Sequence, residues 1–155
     1  DMRRAAEARL RFLRFADLPS LCGRYSQRQR GNKGLHNTAE KKRRSFMNVR
    51  ELKDKAGLEV LTLPDGEKEV TGGYAGDLLS WVMGRADEGD AWVTIMSNIN
   101  VVAVASLRDV ACVILAENSD IDKETLEKAE DEGVNILRSK KSTFALCSEI
   151  ASLIK

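Results

Sequence analysis

Residues 111–116, Ala-Cys-Val-Ile-Leu-Ala, form an unbroken apolar run within a highly charged chain. A run of this length without polar alternation is typical of a central parallel strand that is covered on both faces. The apolar segment 101–107 ends only a few residues before this run. Because two neighbouring parallel strands need a connection of about ten residues or more, residues 101–107 are predicted to form a helix, although Val-Val-Ala-Val-Ala also suits a strand.

Strand and helix patterns alternate along the chain from Met47 onward. From residue 90 the predicted order is β-α-β-α-β-α, which is the pattern of an α/β fold. We therefore predict alternating β-α units around a mostly parallel sheet of about five strands, in a single small domain. The predicted strands are 58–63, a short strand ending at Val70, 91–96, 111–116 and 134–137, and the predicted helices are 49–56, 77–85, 101–107, 122–132 and one beginning after Ser142.

The charge of the chain changes abruptly near Met47. Residues 1–46 contain 13 lysines and arginines and 4 acidic residues, whereas residues 47–155 contain 12 and 20. Such a shift in composition indicates a boundary. It divides the chain into a basic N-terminal segment, 1–46, and an α/β domain, 47–155. Residues 22–44 contain few apolar side chains and are expected to be disordered.

Two interpretations of the basic segment are open. Its clustered charges would neutralise the phosphates of a nucleic acid, but Tyr25 and His36 alone could stack on bases, and they are not interleaved with the charges. Alternatively, Lys42-Arg43-Arg44 is what purine-rich AGGAGG-like codons encode, as in a bacterial ribosome-binding site read through in frame. We prefer the second interpretation, in which the product starts at Met47. A gene without an AGGAGG-like stretch before the Met47 codon would remove its main support.

The segment 69–81 joins a strand end to a helix start through paired glycines. Thr71-Gly72-Gly73 follows the strand that ends at Val70, and Asp77 is placed as the N-cap of the next helix. Paired glycines allow positive φ and leave backbone N–H groups uncovered, which beside a helix start suits an anion or a carbonyl group. The alternative is that the glycines only turn a tight corner. We predict a ligand site at the loop Thr71–Asp77.

Polar side chains also follow the other predicted strands. Ligands of open parallel sheets bind beyond the C-terminal ends of the strands, and the loops 97–100, 117–120 and 139–142 follow such ends. Ordinary turn and cap chemistry is the alternative for each loop alone, but together they are predicted to line one edge with the glycine loop. The candidate ligand-binding residues are Thr71, Gly72, Gly73, Asp77, Asn98 and Asn100, with Asn118, Ser119, Lys140 and Lys141 nearby.

The reactive side chains favour a function other than catalysis. The one histidine, His36, lies in the basic segment, so residues 47–155 have no imidazole for acid–base or nucleophilic chemistry. The sequence contains no G-x-x-x-x-G-K-[ST] phosphate loop. A small-molecule enzyme that uses Asp77 and Thr71 is the alternative.

Several other residues are assigned structural roles. Three widely spaced cysteines suit neither a disulfide framework nor a zinc site, so no metal or cofactor is expected, and Cys112 and Cys147 are predicted core residues. The acidic loop 87–90 is expected to be solvated. The core is predicted to contain the two tryptophans, with an interface as the alternative, and a stripe of the last helix: Trp81, Trp92, Phe144, Ala145, Ile150 and Leu153.

Three segments together resemble the DRTGG domain family. They are Val-Thr-Gly-Gly-Tyr-Ala-Gly-Asp-Leu-Leu-Ser (70–80), Glu-Gly-Asp-Ala-Trp-Val-Thr-Ile (88–95) and Asn-Ile-Asn-Val-Val-Ala-Val-Ala (98–105). The resemblance covers essentially all of residues 47–155 and none of residues 1–46. Thr71, Gly72 and Gly73 match the family name, whereas Glu69-Val70 stands where the name implies Asp-Arg.

The resemblance implies a compact α/β module similar to the N-terminal domain of HPr kinase/phosphorylase. In multidomain relatives such a module is a regulatory and dimer-contact element rather than a catalyst. We therefore expect a non-catalytic regulatory module that self-associates, binds a nucleotide or another small anionic ligand such as a phosphorylated metabolite at Thr71–Asp77, and acts on a partner enzyme. A cytoplasmic location, no membrane contact and no nucleic-acid partner are expected.

Overall fold

The computed structural model describes residues 46–154. The predictions for residues 1–45, including disorder at 22–44 and nucleic-acid binding, lie outside the described residues. The strands are β1 (Met47–Asn48), β2 (Glu59–Thr62), β3 (Glu69–Val70), β4 (Gly72–Ala75), β5 (Asp90–Thr94), β6 (Cys112–Leu115) and β7 (Ile136–Arg138), and the helices are α1 (Val49–Ala56), α2 (Leu79–Arg85), α3 (Ile99–Arg108), α4 (Lys123–Asp131) and α5 (Thr143–Leu153).

Five strands form one sheet in the order β2-β7-β6-β5-β4. The strands β4 to β7 run parallel to one another, and β2 pairs antiparallel with β7. A helix joins each consecutive pair of parallel strands, as the length of a parallel connection requires. The predicted α/β fold with a mostly parallel sheet of about five strands is confirmed. The strands β1 and β3 pair antiparallel as a separate two-stranded sheet.

Helices cover both faces of the sheet, which explains the unbroken apolar run at 111–116. All residues of β5 and β6 are buried. The segment 101–107, for which the sequence also allowed a strand, lies in α3 between these two strands. One face of the sheet packs against α1 and α5 through Leu52, Leu146 and Ile150, and the other packs against α2, α3 and α4 through Val82, Val102 and Ala129.

Polar side chains and a glycine fix the ends of several helices near the positions that the sequence predicted. Ser142 accepts a hydrogen bond from Ala145 N at the start of α5, and Asp122 accepts one from Thr125 N at the start of α4. Such side chains satisfy backbone N–H groups that have no partner inside the helix. Gly57, with φ of +63°, ends α1. No helix within residues 46–154 has both the length and the apolar character needed to cross a bilayer.

The predicted burial of Trp81 and Phe144 was wrong, whereas Trp92 is fully buried as predicted. The Trp81 and Phe144 side chains are 54% and 86% exposed. Each helical residue is rotated about 100° from the previous one, so Phe144 lies about 200° around α5 from the buried Leu146. Ala145 is also exposed. Trp81 is turned away from the sheet in the same way, because the next residue, Val82, is the buried one.

The phase of α5 gives a direct test of this packing. Leu146→Ala is expected to lower the free energy of unfolding by about 2–5 kcal/mol, because it opens a cavity between α5 and the sheet. Phe144→Ala, on the opposite face of the same helix, should change it by no more than about 0.5 kcal/mol. Urea unfolding of the two variants measures both values. Equal losses would contradict the observed phase of α5.

Candidate functional site

The parallel strands carry polar residues at two opposite edges of the sheet. The C-terminal edge consists of residues 76–78, 95–98, 116–120 and 139–142, which follow β4, β5, β6 and β7. Thr71 and the acidic loop 87–90 lie at the N-terminal edge, before β4 and β5. Thr71 and Asp77 are therefore about 20 Å apart along an extended chain of six residues. The prediction that all six candidate residues line one edge is wrong.

Gly72 and Gly73 lie in the edge strand β4 rather than in a loop, which corrects the predicted anion-binding loop. Their backbone pairs in parallel with Asp90 and Ala91 of β5. Positive φ among the glycines of the described chain occurs at Gly57, Gly89 and Gly133, and not at this pair. Positive backbone angles are therefore not the reason for glycine at 72 and 73.

Steric contact across the strands explains Gly72. A Cβ at this position would lie 2.5 Å from Asp90 Oδ1, and Cβ atoms in proteins do not come this close to a non-bonded atom. The reciprocal contact is found one residue earlier, where a Cβ on Gly89 would lie 2.5 Å from Thr71 Oγ1. Thr71 also donates from N to Gly89 O over 2.9 Å and from Oγ1 to Glu88 O over 3.1 Å. Each strand thus contributes one glycine that makes room for a polar side chain of the other.

Asp90 is buried, which corrects the expectation that the whole acidic loop is solvated. Its Oδ2 accepts a hydrogen bond from Asp87 N over 2.9 Å. Burial raises the pKa of the Asp90 carboxyl and the Asp87 carboxylate raises it further, while the Asp87 N–H bond and Arg108 oppose the shift. The sequence contains a signal for the contact between Asp90 and Gly72, because Gly89-Asp90 and Thr71-Gly72 each stand at the start of a strand and the two strands are neighbours.

Asp77 does not cap α2, as the sequence had predicted. The N-cap of that helix is Leu78, which has no side-chain capping bond. Asp77 Oδ1 instead accepts hydrogen bonds from Thr94 Oγ1 over 2.8 Å and from Ile95 N over 3.0 Å. The carboxylate therefore ties the chain after β4 to the end of β5, at the C-terminal edge of the sheet.

Asn98 and Asn100 lie at the same edge as Asp77, at the start of α3. Asn98 Oδ1 accepts a hydrogen bond from Asn100 N over 3.0 Å and caps the helix as predicted. Both residues are exposed. The amide NH₂ of Asn98 can still donate hydrogen bonds at this edge. The exposed Asn100 side chain can both donate and accept them, since an amide group offers both.

The loop after β6 has the most unusual backbone in the described chain. Glu117 and Asn118 have φ of +57° and +55°, a region that residues other than glycine enter rarely and at a cost of about 1 kcal/mol or more each. Glu117 Oε1 accepts hydrogen bonds from Thr143 N over 3.3 Å and Thr143 Oγ1 over 3.1 Å. The start of α5 is therefore already occupied by a carboxylate of the chain itself, beside Lys140 and Lys141.

A groove of about 350 Å³ lies between the edge strand and the end of α5. Its volume is at the lower end of the range for small-molecule sites. None of the described residues that line it is charged, so they give an anion no electrostatic reason to enter. The lining residues are Gly73, Tyr74, Ala75, Ala91, Val93, Cys147, Ile150, Ala151 and Ile154.

The described residues hold little of the chemistry that catalysis needs. No group of three or more histidine, cysteine or acidic side chains within residues 46–154 could hold a metal ion. Burial raises the pKa of the Cys112 thiol to about 12 and raises that of Cys147 as well. Since the thiolate is the reactive form of cysteine, neither side chain is activated as a nucleophile.

Comparison with known proteins places this arrangement in a family. The sequence profile of the DRTGG domain matches residues 76–153, about half of the chain. The chain belongs to the DRTGG domain family. The matched residues begin at Gly76, so they include the C-terminal edge of the sheet and α2 to α5 but not Thr71, Gly72 or Gly73. No curated protein is significantly similar in sequence to this chain.

The fold of this DRTGG domain is similar to that of a solved structure. That structure is the crystal structure of the CBS and DRTGG domains of the regulatory region of Clostridium perfringens pyrophosphatase, complexed with its activator, diadenosine tetraphosphate. The TM-score is 0.54 at 14% sequence identity, and the similarity covers 64% of this chain and 44% of that chain. At this identity the similarity concerns the fold alone, and the present chain spans less than half of that regulatory region.

The contact between Asp90 and Gly72 can be tested by a double-mutant cycle. Gly72→Ala is expected to lower the free energy of unfolding by about 1–3 kcal/mol, because the new methyl group overlaps the buried Asp90 carboxylate. In an Asp90→Ala background the same substitution should cost much less. Gly73→Ala is the matched control, since its Cβ would lie at an ordinary 3.5 Å from Ala91 O. Equal costs of Gly72→Ala in both backgrounds would contradict the contact.

The raised pKa of Asp90 predicts a specific pH dependence of stability. Since the folded state binds the Asp90 proton more tightly than the unfolded state, the stability from this group is present below the ordinary carboxyl pKa of about 3.9 and is lost as the pH rises through the raised folded value. Asp90→Asn should remove this loss. The measurement is the difference in unfolding free energy between wild type and variant across that range of pH.

Glu88→Gln is the matched control for this measurement, because Glu88 lies in the same loop and is exposed. It should follow the wild-type pH dependence. Other carboxyls, such as Asp122, have a lowered pKa and contribute with the opposite sign, so only the difference between variants isolates Asp90. An unchanged pH dependence in Asp90→Asn would contradict the burial of this carboxyl.

Proposed function

We propose that this chain is a regulatory module without catalytic activity of its own. It binds a nucleotide or another small phosphorylated ligand, self-associates, and controls a partner enzyme in the cytoplasm. Membership of the DRTGG family supports the regulatory role. The structurally similar regulatory region binds a dinucleotide activator and belongs to a pyrophosphatase, which supports a nucleotide as the ligand and an enzyme as the partner.

The ligand is proposed to bind at the C-terminal edge of the sheet. Asp77 follows β4 there, and Asn98 and Asn100 lie at the start of α3, after the adjacent strand β5. The hydrogen bond from Ile95 N to Asp77 Oδ1 joins the two segments. Carboxylate and amide groups suit the hydroxyls of a ribose and the edge of a base. Lys140, at the end of β7 on the same edge, supplies a positive charge for a phosphate. This edge is also where open parallel sheets bind their ligands.

The remaining candidates, Thr71, Gly72 and Gly73, are assigned to the structure of β4 rather than to the ligand. Thr71 and Gly72 are engaged with the loop before β5 at the opposite edge, and Gly73 borders the apolar groove. The same separation weakens the alternative of an enzyme that uses Thr71 and Asp77 together. Two catalytic groups have to reach one substrate within hydrogen-bond distance, which a spacing of about 20 Å does not allow.

A ligand screen on the full chain tests the proposed binding. Nucleotides and phosphorylated metabolites are added in a thermal-shift assay, where a ligand at 100 times its Kd adds about 2.7 kcal/mol of stability. Asn100→Ala is expected to leave the melting temperature without ligand unchanged and to reduce the shift. Glu88→Ala, at the opposite edge, should keep the full shift. A shift that survives Asn100→Ala and is lost in Glu88→Ala would contradict the proposed edge.

A further inference from the structure

The outward face of α2 carries an exposed stripe that includes two large apolar side chains. The Leu78 and Trp81 side chains are 61% and 54% exposed, and the guanidinium of Arg85 lies 3.9 Å from the centre of the Trp81 ring. Gly84 is exposed beside them. These four residues, Leu78, Trp81, Gly84 and Arg85, are called the α2 patch below. Leu78 is the N-cap of α2, and Trp81 follows it by three residues. Gly84 and Arg85 lie three and four residues after Trp81 and so on the same side of the helix.

Gly84 has no structural explanation within the described chain. Its φ is not positive, and no atom of another residue lies within 4 Å of the Cβ that a larger residue would place there. Gly84 is the last residue but one of α2, and glycine in a helix is less stable than alanine. An exposed glycine in this position leaves a notch in the helix surface, into which a side chain of another molecule can pack.

The apolar surface around the α2 patch is large enough for an interface. Ile95 and Ile99 are 46% and 41% exposed. The bond from Ile95 N to Asp77 places the Ile95 backbone beside the start of α2, and Ile99 lies at the start of α3, which contacts α2. With about 200 Å² for a large side chain, the four exposed apolar residues present roughly 400 Å². Because interfaces are about 60% apolar by area, this apolar area corresponds to a buried surface of roughly 650 Å² on each partner. That buried surface reaches the lower end of the range for specific protein–protein interfaces.

We propose that the α2 patch is the surface through which two copies of this chain associate. The two α2 helices pack antiparallel across a two-fold axis that passes near Trp81. Leu78 of each copy then packs into the notch at Gly84 of the other, and the two Trp81 rings meet at the axis. The inference rests on the self-association in the proposed function and assigns it to a surface.

Charge and shape both favour a second copy over an unrelated partner. A two-fold interface requires a surface that is complementary to itself. Here the apolar knob, Leu78, and the notch, Gly84, lie at similar distances on either side of Trp81 along one helix. Charges follow the same arrangement, since Asp77 lies before Leu78 and Arg85 follows Gly84. In the antiparallel pair, Arg85 of one copy therefore approaches Asp77 of the other, and the proposed ligand edge lies beside the contact between the two copies.

Sedimentation velocity of the full chain without ligand, over a range of concentrations, tests this interface. Wild type is expected to form a dimer. Trp81→Ser and Gly84→Leu are each expected to weaken self-association by roughly 30-fold or more, as for a central tryptophan contact. Circular dichroism melts at low concentration check that both variants fold, which is expected because both positions are exposed. Leu107→Ser, which removes another leucine that is 68% exposed, is the matched control and should dimerise like wild type.

Gly84→Ala gives a second, independent readout. In the monomer the added methyl group points into open space and favours the helix, so the melting temperature at low concentration should rise. In the dimer the same methyl group fills the notch, so self-association should weaken. A wild type that stays monomeric, a dimer that survives Trp81→Ser and Gly84→Leu, or a dimer that Leu107→Ser disrupts equally would overturn the proposal. Since no ligand is present, these outcomes are distinguishable from failure of the proposed ligand binding.

Discussion

The edge strand β4 depends on a reciprocal contact with the loop that precedes β5. Gly72 leaves space for the buried carboxylate of Asp90, and Gly89 leaves space for the hydroxyl of Thr71. At the start of this pairing Gly72 and Gly73 contribute no apolar side chain, so packing there does little to select one register. A shift that brought Thr71 opposite Asp90 would place a Cβ where Gly72 now leaves space for the Asp90 carboxylate. The contact therefore sets the register of β4 on β5.

The position of α2 and of the C-terminal edge follows from this register. Once β4 is fixed at its N-terminal end, Asp77 arrives beside the end of β5 and accepts the hydrogen bonds of Thr94 and Ile95. These bonds hold the chain just before α2, and the buried Val82 then determines which residues of the helix face outward. The Thr71-Gly72 pair thus serves the function indirectly, since it positions polar side chains and a helix surface at a distance from itself.

Much of the fold could be predicted from the sequence because burial and capping are local signals. The run 111–116 indicated a strand covered on both faces, and the capping residues Asp122 and Ser142 marked helix starts correctly. The interpretation of Gly72-Gly73 as a loop failed because the cause of glycine at 72 is a side chain 18 positions away, on another strand. The solvation of Asp90 was predicted wrongly for the same reason.

The candidate site was predicted only in part, since a sequence shows which residues follow strands but not where each strand begins. Asp77, Asn98 and Asn100 lie at one edge as expected, whereas Thr71 belongs to the other because β4 starts after it. Trp81 was assigned to the core from its apolar character alone. Its exposure depends on the phase of α2, which Val82 determines by packing against the sheet.

A ¹H–¹⁵N NMR titration tests most directly whether the C-terminal edge of the sheet binds the ligand and the N-terminal edge is structural. The full chain is titrated with a nucleotide, for which ATP and diadenosine tetraphosphate are suitable probes. Changes in amide chemical shift are predicted at residues 76–78, 95–100 and 139–143, on the C-terminal edge of the sheet. Changes confined to residues 71–73 and 87–90, or none with any nucleotide, would contradict the account.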